Sequence, residues 1–222
     1  MTNQINFVNT SDITLAADFI ADLVIDKLKL NQRVLWLVPG GSSISVAALA
    51  AEKIAKYDHH KLTVTLTDER YGSLDHPDSN WRQLREAGFF LPEAKLIPVL
   101  VNDDFLTSAQ NFAINLERAF LNNDYVVGFF GIGPDGHTAG ILPGSPAITA
   151  SELTCAYDAG NFKRITITPK AIAHLNEAIV FAQGEFKWPI LKQLNQELPL
   201  TTQPAQVLKT LKKLTIFSDY QN

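Results

Sequence analysis

Short apolar runs rich in β-branched and aromatic residues alternate with amphipathic segments from one end of the chain to the other, and this alternation restricts the fold more than any other feature. Ile5–Val8, Arg33–Val38, Leu62–Thr67, Lys95–Leu100, Tyr125–Phe130, Arg164–Thr168, Ala178–Ala182 and Leu214–Phe217 have the length and composition of strands. Val34–Val38 and the run around Val126 are apolar without interruption, as expected of strands covered on both faces. The first helix is announced by Ser11 or Asp12 as N-cap, followed by Ile13, Ala16, Ala17, Ile20, Val24 and Leu28 on one face. Further helices are predicted over Ile44–Lys56, Asn80–Ala87, Thr107–Leu121, Pro169–Leu175, around Lys187–Leu194, and Pro204–Lys212, with Pro169 suited to a first helical position. The pattern predicts an α/β chain, a single-domain three-layer α/β/α sandwich around a largely parallel, Rossmann-like sheet, with residues 1–222 as one domain. No linker or internal repeat interrupts it. Gly144–Lys163, rich in small and polar residues, reads either as a long excursion or as a short hairpin.

Composition removes several functions. With 46% apolar residues, 11 Pro and 12 Gly, neither disorder nor a collagen-like repeat fits. The balance of 19 Lys+Arg against 23 Asp+Glu (net charge −4) argues against nucleic-acid binding through bulk positive charge, and leaves room for an anionic small molecule. The single cysteine, Cys155, excludes an intramolecular disulfide and a multi-thiolate zinc site. No apolar run approaches the roughly 20 residues of a membrane span. No Lys or Arg precedes Lys27, so the charged start of a secretory signal and the arginines of a presequence are missing. A soluble cytoplasmic protein is expected, with a monomer favoured.

In parallel α/β sheets ligands bind beyond the carboxyl ends of the strands, so the segments that follow strands carry the chemistry. Pro39-Gly40-Gly41-Ser42-Ser43 precedes a helix, and its glycines, hydroxyls and helix N-terminus form a candidate phosphate cradle. It lacks the Lys-Ser/Thr of a nucleotide P-loop. Thr67-Asp68-Glu69-Arg70-Tyr71 leads into Asp75-His76-Pro77-Asp78-Ser79-Asn80-Trp81-Arg82, read as a polar loop with Ser79 capping the next helix. Asp68 and Arg70, nearest the strand end, offer an acid–base group and a cation. Gly131-Ile132-Gly133-Pro134-Asp135-Gly136-His137-Thr138-Ala139-Gly140 contains a formal G-x-G-x-x-G, but Pro143, Gly144 and Pro146 preclude the long helix that a dinucleotide fingerprint opens. A nicotinamide enzyme is therefore disfavoured. What the loop does carry is His137 beside Asp135, an imidazole able to act as base near neutral pH with a carboxylate to orient it. No His or Cys spacing suits a metal, and there is no G-x-S-x-G serine elbow.

Taken together, Gly40-Gly41-Ser42-Ser43, Asp68-Glu69-Arg70 with His76-Pro77-Asp78-Ser79-Asn80, and Gly131–Ala139 resemble the 6-phosphogluconolactonase family. Arg164-Ile165-Thr166-Ile167-Thr168, Gly184-Glu185-Phe186-Lys187 and a terminal strand ending at Asp219 extend the resemblance over nearly the whole chain. It implies a fold shared with glucosamine-6-phosphate deaminases and cofactor-free hydrolysis of a sugar-phosphate lactone in the pentose phosphate pathway. His137 would be the general base and Asp135 its partner. The Gly40–Ser43 loop, Arg82 and Lys187 would hold the phosphate, and Arg70 would contribute a cation or brace the loop through Asp68. Backbone N–H groups of a glycine-rich loop would stabilise the oxyanion.

The chain departs from the family at Ser43-Ile44, where the family usually has Thr-Pro, and at Tyr71-Gly72. It departs again at Ala139-Gly140-Ile141-Leu142-Pro143, where Ala-Ser-Leu-Phe-Pro is usual. The deaminases carry a glutamate where this chain has Leu142, which cannot titrate, so deamination is the weaker expectation. A non-catalytic sugar-phosphate sensor is the other alternative, and the retained Asp135 and His137 favour catalysis over it.

Overall fold

The uninterrupted apolar runs lie at the centre of a seven-stranded sheet, where both faces are covered and every residue of Val34–Val38 and Leu62–Leu66 is buried. The computed structural model describes residues 4–221. The chain forms β1 (Gln4–Asn9), α1 (Ile13–Lys29), β2 (Val34–Val38), α2 (Ile44–Ile54), β3 (Leu62–Leu66), β4 (Asp68–Arg70), α3 (Asn80–Glu86), β5 (Lys95–Ile97) and α4 (Phe105–Asn122). It continues through β6 (Tyr125–Phe130), β7 (Thr154–Asp158), β8 (Lys163–Ile167), α5 (Pro169–Ile172), β9 (Glu177–Phe181), α6 (Trp188–Gln193) and β10 (Lys213–Ser218). The large sheet has the order β1-β10-β9-β6-β2-β3-β5, and every pair in it is parallel.

Right-handed crossovers place α1, α2 and α3 on one face, because the chain moves in one direction along the sheet from β1 to β5. It then reverses, so α4 and the later elements cover the other face. Packing of α1 on α2, α2 on α3, and α4 on β7 agrees with that division. The helices start where capping chemistry allows. Asp12 accepts the N–H of Thr14, settling the cap of α1 in favour of Asp12. Asp104 accepts the N–H groups of Leu106 and Thr107, so α4 begins at Phe105 rather than Thr107.

Four readings are corrected and one open one is resolved. Asp68-Glu69-Arg70 is not loop but a short strand, and with β8 and β7 it forms a separate antiparallel sheet in the order β4-β8-β7. The Arg164–Thr168 run therefore belongs outside the parallel sheet. Gly144–Lys163 supplies β7 and the turn of a β7–β8 hairpin, the second of the two readings. Pro204–Thr210 is 3-10 helix rather than α-helix, and β5 stops at Ile97, three residues short of the predicted run.

Candidate active site

Chain direction reverses between β2 and β6, which are neighbours, so the loops leaving their carboxyl ends diverge to opposite faces and open a crevice. A cavity of about 360 Å³ occupies that crevice. Gly40, Gly41 and Ser42 from the loop after β2 line one wall, and Gly131, Ile132, Gly133 and His137 from the loop after β6 line another. Asp68, Arg70 and Arg164 come from the small sheet, and Lys187 from the turn before α6.

The loop after β6 is folded to present one imidazole. The Gly133 N–H donates to the His137 carbonyl (2.9 Å) and the Gly136 N–H to the Gly133 carbonyl (2.9 Å), closing a tight turn. A Cβ on residue 133 would lie 2.1 Å from the His137 ring, so only glycine lets the ring rest against this backbone. His137 Nδ1 is 2.6 Å from Asp135 Oδ1, and the His137 N–H donates to the same oxygen at 3.2 Å. The His137 hydrogen bond holds the Asp135 carboxyl below its usual range, so it is ionised at neutral pH and can only accept. Nδ1 is therefore the donor in this bond, and Nε2 is the ring nitrogen left for other partners. Beyond His137 the backbone is strained at Ala139 (φ 50°), which also lines the cavity. Thr166 Oγ1 accepts the Gly140 N–H (3.0 Å), and the Tyr157 hydroxyl donates to the Gly140 carbonyl (2.6 Å).

Register in the small sheet explains the acid–base cluster opposite. Asp68 pairs with Thr166 and Arg70 with Arg164, so these four side chains share one face. The face looks into the cavity, and Arg164 reaches the buried Asp68 carboxylate (3.4 Å). Burial pushes the Asp68 carboxyl up, and the charge of Arg164 is the first to oppose the rise. Both guanidinium groups lie over the Phe162 ring, at 4.8 Å for Arg70 and 5.9 Å for Arg164. The Nε atoms of both are buried without a partner among the described residues, leaving donors to spare.

Glu69 alternates to the opposite face and is wholly buried. Its carboxylate accepts the N–H groups of Arg70, Asn80 and Trp81 and the hydroxyl of Ser79, at 2.7–3.2 Å. It thus ties β4 to the start of α3. Burial pushes its carboxyl up, and these four donors counter that push. Glu69→Ala leaves four polar groups without their acceptor, so a loss of about 3 kcal/mol in unfolding free energy is expected from urea titration. An unchanged midpoint would show that water replaces the carboxylate without penalty.

The loop after β2 meets the fourth wall. Gly41 has φ +65°, and a Cβ at Gly40 would strike the Asn80 amide at 2.1 Å, which explains the paired glycines. Gly41–Ser43 is a 3-10 turn running directly into α2, so its leading N–H groups and the positive helix end face the cavity. Lys187 Nζ is 3.4 Å from Ser42 Oγ. Burial pulls the Lys187 ammonium below the usual lysine range, and the Asp219 charge partly restores it. The Asp219 carboxylate accepts the Gly184 N–H (3.1 Å) and the Trp188 indole N–H (3.1 Å), pinning the turn that aims Lys187 inward.

Of the residues singled out in the sequence, Gly40, Gly41, Ser42, Asp68, Arg70, His137 and Lys187 line one cavity, with Asp135 holding His137 from outside the lining. Two do not join them. Ser43 is buried with its hydroxyl on the Phe181 carbonyl (3.4 Å). Arg82 donates to Glu86 one helical turn on (2.7 Å) and to the Asp75 carbonyl (3.0 Å). The bracing role considered for Arg70 falls to Arg164, since Arg70 donates instead to the Asp78 carbonyl (3.2 Å). Sequence reasoning did not single out Arg164, Asn80 or Asp219 as site residues. A basic residue followed by the alternating apolar–polar pattern Ile165-Thr166-Ile167 was the available signal for Arg164. Three cations and one buried carboxylate around an uncommitted imidazole nitrogen suit an anionic substrate that is attacked by activated water.

Residues 10–216 match the family described as glucosamine-6-phosphate isomerases/6-phosphogluconolactonase. A 6-phosphogluconolactonase of Nostoc sp. is 32% identical over 192 residues, covering 78% of this chain and 78% of that protein. The human 6-phosphogluconolactonase is 26% identical over 184 residues, covering 77% and 71% respectively. Among solved structures, a 6-phosphogluconolactonase from Shewanella baltica superimposes with a TM-score of 0.84 at 22% identity, covering 98% of this chain and 99% of that one.

Proposed function

Because the chain belongs to the glucosamine-6-phosphate isomerase/6-phosphogluconolactonase family, we propose that it hydrolyses 6-phospho-D-glucono-1,5-lactone to 6-phosphogluconate in the oxidative pentose phosphate pathway. The observation that carries this reading is the Asp135–His137 pair, in which Asp135 engages Nδ1 of an imidazole that lines the cavity and leaves Nε2 to act as the base. Nε2 takes a proton from water as the oxygen attacks C1 of the lactone. The resulting oxyanion meets N–H donors of the lining, and collapse expels the ring oxygen, which takes the proton back from the imidazolium. Asp135 stabilises that imidazolium and, before the transfer, holds the ring with its proton on Nδ1. No step needs a redox group or a cofactor.

The phosphate sits where positive charge and free N–H groups converge, at Gly40-Gly41-Ser42 and Lys187, with Arg70 and Arg164 supplying further donors. Asp68 is held by Arg164 and tunes the field at His137. The whole chain works as one lactonase domain in the cytoplasm. Among the described residues no helix is long and apolar enough to cross a membrane.

Leu142 separates the two chemistries of the family. It packs against the core at the position where the deaminases are expected to place a glutamate, so no carboxylate is available there for ring opening and amine release. Incubation with glucosamine 6-phosphate is expected to release no ammonia under conditions in which the phosphorylated lactone is consumed. Ammonia release at a rate matching lactone consumption would assign the deaminase reaction instead.

A further inference from the structure

A second concavity lies at the opposite, amino end of the large sheet. Arg33 immediately precedes β2, Lys61 immediately precedes β3, and Lys95 opens β5; these three strands are neighbours. Adjacent strands run about 4.8 Å apart, so their leading residues form a cationic row. Arg118, near the end of α4, and His60 complete a cavity of about 520 Å³.

Among the described residues no Asp or Glu lines this cavity. The nearby Asp124 is taken up by Arg33, whose backbone N–H (2.8 Å) and guanidinium (3.1 Å) both donate to it. Asp58 is bonded to His60, and Lys61 donates to the neutral Asn31 side chain. Among the described residues neither Lys95 nor Arg118 has an ion-pair partner. In a chain of net charge −4, four cations gather around this cleft against one nearby carboxylate, Asp124, whose charge acts on Arg33 and Lys61 and leaves Lys95 and Arg118 uncompensated. The packing of the fold does not require Lys95 or Arg118, since both are exposed.

We propose that this cleft is a second ligand site, remote from the lactone pocket, that binds a small oligophosphate anion. Its volume falls in the range of small-molecule sites, roughly 300–1,000 Å³. A guanidinium and two ammonium groups around a concave floor match the dispersed charge of consecutive phosphoryl groups. Low-dielectric walls concentrate that field at the mouth. The oligophosphate comes either from a nucleotide or from an inorganic chain, and the shared chemistry is the run of phosphates.

Isothermal titration with ATP and with inorganic tripolyphosphate tests the assignment on the full chain. Saturable binding is expected, unchanged by Lys187→Ala in the lactone pocket. Lys95→Glu combined with Arg118→Glu should weaken it at least tenfold while lactone hydrolysis without the anion stays at the wild-type rate. The neutral pair Lys95→Gln and Arg118→Gln should fall between the two, which covers misfolding of the reversed variant. Tighter binding of ATP than of tripolyphosphate identifies a nucleotide as the source, and equal binding an inorganic chain. Absence of saturable binding, loss of binding with Lys187→Ala, or wild-type affinity in the charge-reversed protein overturns the proposal.

Discussion

His137→Ala lowers kcat for the phosphorylated lactone by about 10²–10⁴ and leaves KM within a few-fold of wild type. The split follows from the division of labour in the cavity. On the proposed reading His137 offers its second ring nitrogen to water, while the phosphate is assigned to other cavity-lining elements, chiefly Gly41, Ser42 and Lys187. Steady-state kinetics on lactone generated in place checks it. If kcat is retained, another group activates the water, and the buried Asp68 across the cavity becomes the first candidate.

Lys187→Ala acts on the other parameter. It removes a buried ammonium beside Ser42, and an ion-assisted contact of this kind is worth about 2 kcal/mol, or roughly 30-fold in KM for the phosphorylated lactone. Glucono-1,5-lactone lacks the phosphate, so its KM should move little. The two substrates measured side by side separate phosphate recognition from general damage. Equal rises on both would show that Lys187 supports the turn Gly184–Trp188 rather than the phosphate.

The parts of the fold that were legible are those whose physics is local and strong. Val34–Val38 is buried at every residue, so its sequence needed no polar alternation and could be recognised as an inner strand. Asp12 was one of two caps offered for α1 and is the one used, whereas the Asp104 cap of α4 lies ahead of the predicted start at Thr107. The small sheet was hidden because β4 is three residues long and entirely polar, and its pairing with β8 spans about a hundred positions. Only that register reveals that Arg164 stands beside Arg70 and reaches Asp68.

In the site, glycines and the His–Asp pair were readable because their requirements are steric and local: Gly133 exists for the His137 ring. The destinations of long side chains were not. Arg82 is taken by Glu86 one turn along α3, a local competitor, and the Ser43 hydroxyl turns inward to Phe181, a neighbour distant in sequence. Asp219 lies at the far end of the chain from the Gly40 loop, and its part in aiming Lys187 emerges only when β10 and the turn before α6 come together. The net charge of −4 likewise concealed a cavity where Arg70, Arg164 and Lys187 outnumber Asp68.

The most direct measurement is the rate of acid release from 6-phosphogluconolactone formed in place by glucose-6-phosphate dehydrogenase, followed with and without the protein. The predicted result is lactone decay well above the spontaneous rate, proportional to protein concentration and lost with His137→Ala. Decay at the spontaneous rate across all protein concentrations would contradict the assignment of this cavity to lactone hydrolysis.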